Sequence, residues 1–243
     1  MRRIGIIETG LSDEPLLREH GDYPSMVRAW LAPAMPDASF ETISPVKGET
    51  LGSVHAFDGY VITGSKHSVY EKIHWIPPLQ DFIRDAYNNA VPMFGICFGH
   101  QIMASALGGT VAPAAGGWIC GNEVYEAALP APHDDVPVVV AALHQDQVVT
   151  LPPAATHVAG NATCRFATLV YDGPLASVQF HPEFTRAFFR DLIKFESPSL
   201  PPELYRKALA SLDTITNRGK VARFAAGVLA NGARPRVAVA RRS

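Results

Sequence analysis

The sequence predicts an α/β fold, a mostly parallel sheet with helices on both faces, on three observations. Short apolar runs alternate with helix-period segments as far as Gly109. Gly and Pro punctuate the joins between them. One join has the form strand–Gly-x-Cys-x-Gly–helix, a strand feeding directly into a helix. Alternation of this kind builds a sheet that is buried on both sides.

The elements follow in order. Residues 3–8 read as a buried strand, 24–31 as a helix and 39–43 as a second strand. Residues 60–63 are β-rich and stop at Gly64-Ser65. Leu79, Phe82, Ile83, Ala86 and Tyr87 recur at helical spacing and predict a helix over 79–89. A strand over 91–96 then meets a helix over 98–107, which Gly108-Gly109 ends. Beyond Gly109 the texture changes. Short strands are expected over 124–128, 138–142, 148–149, 158–159, 166–171 and 176–180, largely antiparallel or mixed. Residues 185–195 return to helix. Pro198, Pro201 and Pro202 mark a linker, after which 202–217 and 221–230 read as helices. The last residues, 233–243, carry Arg234, Arg236, Arg241 and Arg242 and read as a solvated tail. The division expected is a domain over 1–195 and a helical C-terminal extension with a basic tail over 196–243.

Composition excludes several classes. The chain of 243 residues is 47% hydrophobic and 18% charged, ordinary for a globular protein and too apolar for a disordered one. A formal net charge of -2 gives no general affinity for nucleic acid or an anionic membrane. The apolar run after Met1-Arg2-Arg3 is too short for a signal-peptide core or a membrane span. Cys97, Cys120 and Cys164 form no CxxC pair, and the histidines show no metal-ligand spacing. A reducing cytoplasm, no metal and no cofactor are therefore expected.

The most informative stretch is Gly95-Ile96-Cys97-Phe98-Gly99-His100-Gln101. A sharp strand-to-helix turn forces its central residue into a strained backbone conformation. Glycines two before and two after remove side chains that would collide there. The cysteine then sits among the unpaired N–H groups of a helix start, which favour a thiolate. Phe98 N–H lies where a substrate oxyanion would form. A thiol nucleophile needs a base, and the base needs an orienting group. Gln179-Phe180-His181-Pro182-Glu183 supplies both, with His181 at a strand end and Glu183 two positions on. The order Cys…His-x-Glu differs from that of α/β-hydrolases, where the acid precedes the histidine and lies far from it.

Gly95–Gln101 and Gln179–Phe184 resemble the two signature motifs of class I glutamine amidotransferases. Asp58-Gly59-Tyr60-Val61-Ile62-Thr63-Gly64-Ser65 is similar to that family's oxyanion strand, and His144-Gln145-Asp146-Gln147-Val148 to its His-x-Asp-x-Val substrate loop. The resemblance implies a flavodoxin-like sheet with a small antiparallel sheet appended, and a triad of Cys97, His181 and Glu183. It implies an oxyanion hole from the backbone of Gly64, Ser65 and Phe98. Gln101 and the backbone of His144 and Gln145 would hold the two ends of a glutamyl substrate. Where many synthase-linked members have Gly-Gly-Pro, this chain has Gly64-Ser65-Lys66, so the oxyanion donor is not identified by the motif.

Three readings stay open at this point. The chain is a glutaminase that releases ammonia to a separate synthase subunit, an independent hydrolase of γ-glutamyl peptides or amides, or a non-catalytic binding protein of the same fold. In the first two the ligand is a small molecule, glutamine or a γ-glutamyl compound.

Overall fold

A computed structural model describes residues 1–126, 129–133 and 136–231. Seven strands form the central sheet in the order β2-β1-β3-β4-β11-β10-β9. The five that carry the site run parallel: β2 (Ala38–Ile43), β1 (Arg2–Ile7), β3 (Gly59–Ile62), β4 (Met93–Ile96) and β11 (Leu175–Val178). β10 (Thr168–Tyr171) and β9 (Ala155–Ala159) extend the sheet antiparallel. Two separate antiparallel pairs stand apart: β5 (Thr110–Pro113) with β8 (Asp146–Thr150), and β6 (Ile119–Tyr125) with β7 (Val138–His144). This is the flavodoxin-like α/β arrangement, with two small sheets rather than one.

β3, β4 and β11 are buried at every residue, so both faces are apolar and alternate residues serve different cores. Val61, Phe94, Ile96, Ala176 and Val178 face one core, shared with helices α2 (Tyr23–Leu31) and α7 (Arg218–Ala230). Tyr60, Ile62, Met93 and Leu175 face the other, shared with α3 (Ile76–Asn88) and α4 (Phe98–Ala106). A third cluster joins α1 (Glu14–His20), α5 (Arg186–Phe195) and α6 (Pro202–Ser211) to β6 and β7.

Local chemistry fixes the helix ends. Asp22 caps α2 by accepting a hydrogen bond from Ser25 N–H at 2.9 Å. Thr185 caps α5 by accepting from Phe188 N–H at 3.1 Å. α3 opens on Pro77-Pro78, tolerated in a first turn whose N–H groups have no helical partner. α4 ends before Gly108, at φ 96°.

Several expectations shift. Helix α1 and strand β5 carry too little periodic signal to be read from the sequence. The helix expected over 202–217 ends at Ser211, and the next starts at Arg218. Between them the chain pairs with the edge of β7. Asn217 N–H donates to Val139 C=O at 3.0 Å, while its side chain accepts from Val139 N–H and donates to Pro137 C=O, both at 2.7 Å. A side-chain amide that mimics a strand partner gives no sequence pattern. The strand expected over 124–128 is instead β6, and residues 127–128 lie outside the described residues, as does the tail 233–243. No helix among the described residues is long and apolar enough to cross a membrane.

Asn217→Ala strands Val139 N–H in β7 and Pro137 C=O just before it, so stability in urea titration is expected to fall by roughly 1–3 kcal/mol.

Candidate active site

Cys97 stands between β4 and α4 with φ 52° and ψ -101°, a conformation that a residue with a side chain rarely adopts. Its neighbours permit it. A Cβ on Gly95 would lie 2.6 Å from the Gly99 backbone, and one on Gly99 would lie 2.4 Å from Ile62 C=O. The glycines let β3, β4 and α4 approach closely enough to force the turn. Cys97 N–H is held by Val178 C=O at 2.8 Å, tying the turn to β11 as well.

His181 follows β11. Its N–H donates to Ala141 C=O at 2.8 Å, and the two residues form an isolated antiparallel bridge to β7. His181 Nδ1 lies 2.8 Å from Glu183 Oε1, and both side chains are buried. The imidazole stacks on Phe184, with ring centroids 4.1 Å apart and planes 6° from parallel. Burial opposes a charge on His181, but a Cys97 thiolate and the Glu183 carboxylate outweigh it and raise its pKa well above the usual histidine range.

A cavity of about 260 Å³ opens over Cys97. Gly64, Ser65, Gln101, His144, Gln145 and His181 line it with Cys97, so six of the residues expected from the motifs meet the nucleophile there. Glu183 sits behind His181, out of the lining. Phe98 is also out of the lining: its side chain is buried against Trp75, ring centroids 5.6 Å apart. Gly64 lies so close that a Cβ there would stand 2.9 Å from His181 Cε1 and 3.7 Å from Cys97 Cβ.

The peptide between Gly64 and Ser65 is held in one orientation. Thr63 Oγ1 accepts from Thr9 N–H at 3.0 Å and donates to Gly64 C=O at 3.1 Å. Thr9 Oγ1 lies 2.9 Å from Thr63 C=O and 3.2 Å from Gly64 C=O. In a trans peptide the C=O and the following N–H point opposite ways. The Ser65 N–H is therefore turned away from Thr9.

The substrate-loop residues divide their roles. Gln101 Nε2 donates to Asp146 C=O at 2.9 Å and to Gln179 Oε1 at 3.2 Å. The Asp146 carboxylate accepts from Ser68 Oγ at 2.5 Å and Tyr70 OH at 3.2 Å, which ties the loop over β8 to the turn after β3. The His144 side chain is buried with Nδ1 3.2 Å from Asp146 C=O. Burial, with the charge on His181 second, pushes its pKa down to about 3, so it is neutral near pH 7.

Four contributors went unread in the sequence. Gln179, fully buried, donates to Cys97 Sγ at 3.6 Å; its place two before His181 was the available signal. Tyr23 and Trp118 line the cavity from distant segments with no motif around them. Arg218, at the start of α7, donates from Nη1 to Glu183 C=O at 3.1 Å. Trp30 Nε1 in turn donates to Arg218 C=O at 3.1 Å.

A buried cysteine at a strained strand–helix turn, beside a carboxylate-oriented imidazole, matches a known pattern. Residues 37–195 match the family described as glutamine amidotransferase class-I. The chain belongs to that family. Its relatives include gamma-glutamyl peptidase 4 of Arabidopsis thaliana, 34% identical over 145 residues, covering 56% of this chain and 58% of the relative. The GMP synthase [glutamine-hydrolyzing] of Vibrio atlanticus is 34% identical over 132 residues, covering 53% of this chain but 24% of the synthase. The chain thus aligns with little more than half of the first relative and a quarter of the second. Among solved structures, a glutamine amidotransferase from Methylobacillus flagellatus superposes with a TM-score of 0.74 at 19% identity, covering 95% of this chain and 94% of that one. One from Thermotoga maritima gives 0.72 at 22% identity, covering 94% and 96%. At these identities the structural likeness speaks to the fold.

Burial pushes the thiols of Cys120 and Cys164 up to about 12, leaving them protonated and shielded near neutral pH. Iodoacetamide at pH 7.5 is expected to label Cys97 and spare the other two in a peptide map of the native protein.

Proposed function

We propose that this amidotransferase hydrolyses a γ-glutamyl amide through Cys97, His181 and Glu183. The observation that carries the reading is the buried 2.8 Å contact of His181 Nδ1 with Glu183 beside a cysteine held at φ 52°. Glu183 keeps the proton on Nδ1 and stabilises the imidazolium, so Nε2 is the atom that serves Cys97.

The Cys97 thiolate attacks the γ-carbonyl carbon, a C–S bond forms, and the carbonyl oxygen becomes an oxyanion. Phe98 N–H, at the open first turn of α4, and Ser65 N–H, aimed by the Thr9–Thr63 hydroxyls, stabilise it. The C–N bond breaks as His181 delivers its proton to the departing amine. Water, activated by the same imidazole, then hydrolyses the γ-glutamyl thioester and regenerates the thiol. Gln101 and the His144–Gln145 backbone hold the α-amino and α-carboxylate ends of the glutamyl group. His144 adds no charge, which leaves His181 as the cation next to the thiolate.

The two hydroxyls on Gly64 C=O support an oxyanion site that is assembled in the isolated chain. This favours a hydrolase that works unaided over a glutaminase awaiting a synthase partner. The latter reading keeps the same chemistry and differs in the fate of the amine.

The purified chain is expected to turn over γ-glutamyl amides and to accumulate a γ-glutamyl adduct on Cys97 under rapid quench. Cys97→Ala is expected to abolish both, and undiminished hydrolysis by that variant would overturn the assignment. Thr9→Val removes one of the two hydroxyls that hold Gly64 C=O and so loosens that peptide. It is expected to lower kcat about tenfold with a small change in KM, within the roughly 3 kcal/mol that one oxyanion donor supplies. Because the thiolate and Glu183 hold the His181 pKa high, the alkaline limb of kcat/KM lies well above the ordinary histidine value. Removing the carboxylate charge in Glu183→Gln lowers that pKa, so the limb is expected to move to lower pH.

A further inference from the structure

The cavity over Cys97 has two unlike walls. One is polar, made by the turn after β3, Gln101 and the loop from His144 to Asp146. The other is apolar: Tyr23, Trp118, Leu143, Phe184 and Leu192. Those five belong to the third hydrophobic cluster, and Tyr23, Trp118 and Leu143 are its partly buried members, left with surface toward the cavity. His181 stands where the walls meet, stacked at 4.1 Å on Phe184. Phe184 is followed by Tyr23, ring centroids 6.2 Å apart and 26° from parallel. A strip of rings thus leads from the proton donor toward the cavity mouth.

The glutamyl end of a substrate, with an ammonium and a carboxylate, finds most of its hydrogen-bonding partners on the polar wall. The departing nitrogen must approach His181, and anything attached to it lies along the ring strip. Ammonia would leave that strip wet and unused. Apolar surface brought out of water contributes roughly 25 cal/mol per Å², so a substituent that covers the strip gains binding that glutamine does not. On the reading that Cys97 acts on γ-glutamyl amides, we infer that the preferred substrates are those whose leaving amine carries an aromatic or branched apolar group. Tyr23, Trp118 and Leu143 are the residues that select it. Burial, with the charge of Glu183 second, holds the Tyr23 phenol protonated, so the wall carries no anion of its own. Glu196 also lines the cavity and forms no ion pair among the described residues, while Lys66 in the same lining is paired with Asp13, which disfavours a carboxylate on the amine.

The test compares γ-glutamyl-benzylamide, γ-glutamyl-methylamide and glutamine on the full chain. The benzylamide is expected to exceed both in kcat/KM by tenfold or more. Trp118→Ala and, separately, Leu143→Ala are expected to reduce the benzylamide-to-glutamine ratio by about tenfold, with Cys97 alkylation reporting whether the variant site is intact. Glutamine or the methylamide matching the benzylamide in the unaltered chain would overturn the inference. So would a ratio that neither variant moves. Either result, with glutamine still hydrolysed and Cys97 still acylated, leaves the triad assignment standing. Loss of all three activities in the unaltered chain would instead remove the assignment itself.

Discussion

The close approach of β4, α4 and β3 at two glycines underlies the rest of the site. Gly95 touches Gly99, and Gly99 touches the backbone of Ile62, so the chain turns within one residue from strand to helix. That residue is Cys97, whose positive φ is a cost on the order of 1–3 kcal/mol met by the packed elements around it. The same turn sets the first N–H groups of α4 beside the sulfur. It also puts the tip of β3, with Gly64, against Cys97 and His181. A sheet with larger residues at those points would separate the strand tips and leave Cys97, His181 and Gly64 on different surfaces.

Around this turn the structure relies on backbone carbonyls as handles. Gly64 C=O is held by threonine hydroxyls, Asp146 C=O by Gln101, Ala141 C=O by His181 N–H, and Glu183 C=O by Arg218. Each handle orients a peptide or a loop that serves the cavity. They come from the segments that follow β1, β3 and β11 and from α4 and α7, so the site draws its rigidity from most of the fold. The family match ends at residue 195, yet α7 beyond it packs on β4 and β7 and reaches the residue that orients His181.

Much of this was legible in the sequence because its physics is local. The Gly95–Gln101 turn, the His181–Glu183 spacing and the fully apolar strands each depend on residues within a few positions of one another. Helical periodicity located α2, α3, α4 and α5 to within a few residues. What stayed hidden is long-range. Thr9 meets Thr63 across two strands, Asn217 takes the place of a strand beside Val139, and Tyr23 and Trp118 reach the cavity from separate segments. None of these contacts leaves a spacing that a single sequence displays. The orientation of the Gly64–Ser65 peptide was hidden for the same reason: it depends in part on the hydroxyl of Thr9, from the segment after β1.

Arg218 grips Glu183 by the main chain, not by the carboxylate. That hydrogen bond does not depend on which side chain position 183 carries, although the Glu183 charge also favours the Arg218 guanidinium. A different side chain could stand there, and α7 would still be latched to the loop after β11. In this protein shape and chemistry are separable at that point: the acid could be exchanged or lost by point mutation while the architecture stayed closed.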